Sequence, residues 1–216
     1  ANITYTGTTA GNALVVINVG AGAPDATQPV YTVSDGTVYT QLEQTAITDG
    51  SNQWGMVAIH LLLNIGAGTH TIASTNSAGG FNTYGVAVAC EFSGIVTSAG
   101  FDVGSNATGN STTPASGSTG TLAQVPELAI SAFSALAATT LSSSEPAGFT
   151  NILVGSAGTN TVAYSVDYQI VTGSTTALNA NYGSSFSGLS RNWAAAIATL
   201  TGAIVAPLTL MGQACL

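Results

Sequence analysis

The chain reads as all-β, an eight-stranded jelly-roll sandwich made of two similar Greek-key halves. Short apolar or alternating runs recur between Gly-rich turns, the pattern of a sandwich or barrel. The run YGVAVACEFSG at 84–94 is echoed by NWAAAIATLTG at 192–202, with Phe92-Ser93-Gly94 answering Leu200-Thr201-Gly202. Four further segments pair in the same order, at separations that drift between 106 and 114 residues as loop lengths change. About four main strands per half give eight, and duplicated Greek keys give a jelly roll.

In chain order, 3–6 alternates as a short opening strand and 13–19 (ALVVINV) is β-branched enough for a buried one. Val30–Val33 and Val38–Glu43 flank an Asp35-Gly36 hairpin signal. Residues 56–65 form the longest strand candidate, with 69–75 as its antiparallel partner beyond Gly66-Ala67-Gly68. Ser, Thr, Gly and Asn dominate 98–120, which reads as a low-complexity crossing anchored by Phe101 and Val103. In the second half 128–133 echoes 14–19, 145–150 echoes 35–40, 162–171 echoes 56–65, and 175–180 echoes 69–75. Helix is expected nowhere except around 132–139, where Ala is dense. The division is one sandwich domain over 1–203 and an apolar arm over 204–216.

Composition excludes several functions. With no Lys and Arg191 as the only Arg, the net charge is −8, so neither nucleic acid nor an anionic membrane surface is an expected partner. The longest apolar run, 56–63, is interrupted by His60 and falls far short of the roughly 20 residues a spanning helix needs. Cys90 and Cys215 are expected as free thiols rather than a bridge, and the start ANIT as a chain trimmed of its initiator Met rather than a signal peptide.

Catalytic constellations are sparse. Only His60 and His70 are available as bases, both on strand positions, and there is no Gly-x-Ser-x-Gly elbow. Glu91 and Asp167 are the acids within strands, but they are not counterparts in the repeat and read as solvent-facing or paired with a lone basic group. Asp25, Asp35 and Asp49 are the loop carboxylates a calcium ion would use, although Asp-Gly turns explain the last two without one. No enzyme activity and no cofactor are expected. Carbohydrate binding is the rival reading, since sugars stack on exposed aromatics. Trp54 is its best candidate, ahead of Tyr84, Tyr182, Phe186 and Trp193.

GNALVV at 11–16, the Asp35-Gly36 turn with Tyr39-Thr40, GAGTHTI at 66–72, VAVACEFSG at 86–94, VDYQIV at 166–171 and WAAAIATL at 193–200 resemble a jelly-roll domain of tailed-bacteriophage structural proteins and bacterial surface proteins. The resemblance spans roughly 11–202. It implies a virion protein made in the host cytoplasm, a capsid decoration, cement or spike component that contacts other virion subunits, with a carbohydrate-binding module as the alternative. Its motifs are structural and assign no functional residue.

The arm closes the reading. Ile204, Val205, Leu208, Leu210, Met211 and Leu216 are apolar, and Pro207 breaks any helix. Burying these side chains contributes on the order of 10 kcal/mol, against at least about 14 kcal/mol to order the backbone. Backbone hydrogen bonds must make up the difference. The arm is therefore expected to add as a strand to a sheet edge, on a neighbouring subunit of a homo-oligomer rather than on its own sandwich.

Overall fold

The computed structural model describes residues 2–22, 28–50, 53–77, 84–136, 145–157, 162–183, 189–203 and 208–215. Thirteen antiparallel strands, and no helix, are present among them: β1 (Asn2–Thr8), β2 (Ala13–Gly22), β3 (Tyr31–Ser34), β4 (Thr40–Thr48), β5 (Trp54–Leu62), β6 (Gly68–Asn76), β7 (Tyr84–Ser93), β8 (Phe101–Ser111), β9 (Glu127–Leu136), β10 (Thr150–Ala157), β11 (Val162–Val171), β12 (Arg191–Thr201) and β13 (Thr209–Cys215). The first five-stranded sheet runs β13-β7-β2-β5-β4 and the second β10-β11-β9-β12-β8; a three-stranded sheet runs β1-β6-β3.

The two large sheets pack face to face. Val15, Ile17, Val57, Ile59, Val88 and Phe92 from the first meet Leu128, Ile130, Val166, Ala196 and Leu200 from the second. Each outer face is covered as well. Ile3, Tyr5, Val33 and Ile72 of the small sheet bury Leu14, Val16, Ala87 and Ala89. On the other side Leu122, Ala180 and Tyr182 bury Ala129, Phe133, Ala195 and Ile197. Strands sandwiched between two apolar layers lose the polar-apolar alternation of a half-exposed strand, which is why 84–94 and 192–202 carry almost no charge.

The repeat in the sequence is a repeat in the sheets. Val15 pairs with Leu61 and Cys90; Ile130 pairs with Tyr168 and Ala198. β4 carries a bulge between Gln41 and Glu43 against β5, and β10 carries one between Asn151 and Leu153 against β11. Phe92 and Leu200 occupy matching core positions, each paired with the start of its central strand, Ala13 and Leu128. β4, β5, β2, β7 and β13 thus correspond to β10, β11, β9, β12 and β8. Two sequence pairings were one residue out, because Val15 matches Ile130 rather than Ala129 and Leu61 matches Tyr168 rather than Asp167. In a strand a one-residue slip exchanges the faces, and strands apolar on both faces do not betray it.

Other expectations change. Residues 101–111 are an eleven-residue edge strand rather than part of a crossing. Its hydroxyls and amides fit a position held by backbone pairing to β12, and Gly109 leaves room for the Trp193 ring, which a Cβ would meet at 2.5 Å. The Asp35-Gly36 turn is closed by a bridge between Ser34 and Val38, but β3 and β4 leave it for different sheets. β6 pairs with β1 and β3, not with β5. Its echo at 175–180 is an extended segment bonded to 116–122 without regular strand pairing. Residues 132–136 are strand rather than helix, and 137–139 lie outside the described residues. The arm does add to a sheet edge, but the edge is β7 of its own chain.

Candidate functional site

The chain is poor in charge, so its buried carboxylates are the first places to look for chemistry. Glu91, Glu127 and Asp167 are all buried, which corrects the solvent-facing expectation for Glu91 and Asp167. Odd positions of β7 and β11 face outward, away from the central core, so these two acids lie on opposite outer faces with the sandwich between them. They cannot act as a pair across a cleft.

Glu91 sits under β1. Its Oε1 accepts the Thr9 N–H at 2.8 Å and the Asn12 Nδ2 at 2.7 Å. Tyr5, beside it, has its hydroxyl pushed up to about 12 by burial and by the Glu91 charge. A cavity of about 320 Å³ opens here, lined by Tyr5, Thr6, Thr9, Glu91, Met211 and Gln213. Asp167 accepts from Asn151 Nδ2 at 2.8 Å and Ser165 Oγ at 2.7 Å. Burial, only partly offset by these donors, raises it to about 6. Glu127, at the start of β9, has neither carboxylate oxygen in a hydrogen bond. Burial and the neighbouring Asp102 carboxylate raise it to about 7.

In the repeat, Glu127 stands where Asn12 stands and Thr199 where Glu91 stands. The two halves thus keep a polar site at the same place with different chemistry. In the first, a carboxamide donates to a carboxylate. In the second, two carboxylates adjoin, and the Thr199 hydroxyl donates to the Val103 carbonyl at 3.0 Å.

His70, in contrast to His60, has an acid partner. Its Nδ1 lies 2.5 Å from Asp35 Oδ2, its Nε2 lies 3.1 Å from the Gly66 carbonyl, and the Tyr39 hydroxyl is 3.4 Å from Asp35. Burial works against charge at both groups, but mutual hydrogen bonding outweighs it, raising His70 and lowering Asp35. The hydroxyl at this pair belongs to Tyr39 and points to the acid rather than to the imidazole, so the base-to-nucleophile contact of a triad is not made. The pair ties the 34–37 turn to β6. His60 is buried in β5, with Nε2 3.3 Å from the Tyr31 carbonyl, and burial lowers its pKa.

The remaining candidates do not converge. Trp54 is half-buried against Tyr31, Met56 and Ala58. Trp193 is buried and donates Nε1–H to Ser111 Oγ at 2.9 Å. Tyr182 is fully buried, edge-on to Phe133 at 4.5 Å. Tyr84 is exposed at the start of β7, and Phe186 lies outside the described residues. Asp35 serves His70, Asp49 accepts the Gln53 N–H within its own turn, and Asp25 lies outside the described residues. Of the arm, Leu208 is buried, Leu210 packs on the core edge and Met211 is exposed; Ile204 and Val205 lie outside the described residues. No family model, curated protein or solved structure matches the chain.

Proposed function

We propose that this chain is a structural component of a bacteriophage particle, a jelly-roll capsid decoration, cement or spike protein that works through protein–protein contact and not by catalysis. The observation that carries this reading is the pair of uncharged edge strands β10 and β13. Edge strands of proteins that stay apart are normally blunted by Lys, Pro, inward-pointing charge or a bulge. β10 (TNILVGSA) and β13 (TLMGQAC) carry one bulge each but no Lys, Pro or charge, and Val154 and Met211 are exposed on them. The opposite side of the sandwich is tied, since Asn106 of β8 donates to Glu43 of β4 at 2.7 Å. The repeat places Leu153 of β10 and Cys215 of β13 where Glu43 and Asn106 stand. An uncharged edge of this kind suits a subunit whose partner completes it.

The test is fractionation of the source culture on a density gradient, with the chain followed by antibody. The expected result is co-migration with particles at a fixed copy number per major capsid subunit. A chain found only free in the medium would overturn the proposal. So would glycan binding lost in Trp54→Ala, which would favour the carbohydrate-binding alternative.

A further inference from the structure

We infer that β13 is an exchangeable strand, and that the slot beside β7 accepts β13 of a second copy of this chain. This goes beyond the particle reading, because a chain free of any particle would exchange in the same way.

The fold already works by strand exchange between its halves. β8 follows β7 in the chain but pairs with β12 in the second sheet, and β13 follows β12 but pairs with β7 in the first. The two ladders match residue for residue. Leu210 faces Phe92 and Gln213 faces Cys90, as Phe101 faces Leu200 and Gly104 faces Ala198, and both ladders break between those two pairs. The crossovers run past each other at one end of the sandwich, where Ile95 bridges Gly202 and Ala203 N donates to the Gly94 carbonyl at 2.7 Å. The architecture is that of a strand-swapped pair of like units joined in one chain.

β13 is held by its ladder more than by its side chains. None of residues 209–214 is buried and Met211 is 52% exposed, whereas every residue of β9 is buried. Against β1 the outward face of β13 meets Tyr5 at Gly212, where a Cβ would lie 2.5 Å from the hydroxyl, and otherwise borders the cavity over Glu91. Detachment costs the burial of Leu208, the partial burial of Leu210 and the backbone ladder, all of which an identical strand restores in full. The occupant must match the bulge between Leu210 and Gly212 and seat Leu208 near Gly202, where a Cβ on Gly202 would meet its Cδ1 at 3.0 Å. A second copy's 208–215 meets both conditions. Reciprocal exchange between two copies conserves every ladder bond, so the balance between closed and exchanged forms is set largely by concentration.

The test uses the full chain carrying Gln213→Cys, opposite Cys90 in the β13–β7 register, with Cys215→Ser to leave one new thiol. The protein is unfolded, refolded dilute or concentrated, oxidised, and analysed by non-reducing electrophoresis and peptide mass spectrometry. The expected result is an intrachain bridge in dilute refolding and interchain bridges joining position 213 of one copy to Cys90 of the other in concentrated refolding. At low occupancy the dimer share should rise roughly tenfold for a tenfold rise in concentration. Sedimentation of the unsubstituted chain supplies a measurement that does not depend on oxidation, and is expected to show a dimer that survives dilution. Intrachain bridges alone at every concentration, or a chain that stays monomeric after concentrated refolding, would overturn the inference.

Discussion

Replacing Glu127 by Gln tests the electrostatic reading of the second half. Glu127 is buried opposite Thr201, beside the Asp102 carboxylate, which accepts the Ala123 N–H at 2.8 Å. The chain has no Lys, and its one Arg sits at the other end of β12, paired with Ser111. No side-chain cation faces the site, and burial with the adjoining Asp102 carboxylate raises the Glu127 pKa from 4.5 to about 7. A raised carboxyl pKa contributes stability that is complete below the unfolded value and is lost as pH climbs through the folded one. At 1.36 kcal/mol per pH unit the contribution is on the order of 3 kcal/mol. Gln keeps the shape, can donate to Asp102 and does not titrate. Urea melts at about pH 5 and about pH 8 should show the unsubstituted chain losing on the order of 2–3 kcal/mol more than Glu127→Gln over that interval. The variant should then be the more stable of the two at the higher pH. Equal pH slopes, or a variant weaker at the higher pH, would refute the neutral-carboxyl assignment.

Other perturbations follow from the same geometry. Gly20→Ala would place a Cβ 2.8 Å from both the Gly85 Cα and the Tyr84 carbonyl; thermal melts should show it among the costlier single-methyl changes, beyond the usual 0.5–3 kcal/mol or so of a point substitution. Phe92→Ala and Leu200→Ala occupy equivalent core positions, so each should cost about 2–5 kcal/mol by denaturant melts, and one near-neutral result would break the equivalence. His70→Ala and Asp35→Asn remove the same clasp, so their double variant should be no worse than either single one by double-mutant cycle. The clasp's own contribution should fade as pH rises through the raised His70 pKa and as it falls through the lowered Asp35 pKa.

The central strands were legible because burial on both faces leaves an unmistakable run of apolar residues, as in VAVACEF and WAAAIATL. The repeat was legible for the same reason, but its register was not, since either face of such a strand accepts the same side chains. β8 was missed because an edge strand stabilised by backbone pairing needs no apolar side chains, and FDVGSNATGNS has the composition of a loop. The buried acids were misread for a different reason. Single-residue patterning treats a carboxylate as a surface marker, whereas Glu91 and Asp167 are paired with donors from Thr9, Asn12, Asn151 and Ser165, which only the fold brings to them. His70 and Asp35 are likewise 35 residues apart and meet only because the 34–37 turn packs on β6.

The duplication also explains where the two halves part company. Their sheets share strand order, register and bulges, and both pack on the one central core. The covers and edges are free to differ, and they do. The first outer face carries a regular three-stranded sheet, while the second carries two irregular segments that meet at 115–122 and 175–182. One side of the sandwich is fastened by Glu43 and Asn106, with β4 packed on β8 and β12; the other has Leu153 at the place of Glu43, and β10 makes a short approach to β7. A symmetric scaffold with one closed and one open side can present a single contact surface without self-association through both. On the proposed particle role, charge introduced on the open side, as in Val154→Lys with Met211→Lys, should abolish association while leaving thermal stability within about 0.5 kcal/mol, the range of exposed substitutions. The same charges on the closed side, at exposed Thr40 and Gln41, should leave association intact. If both pairs behaved alike, the open edge would not be the contact surface.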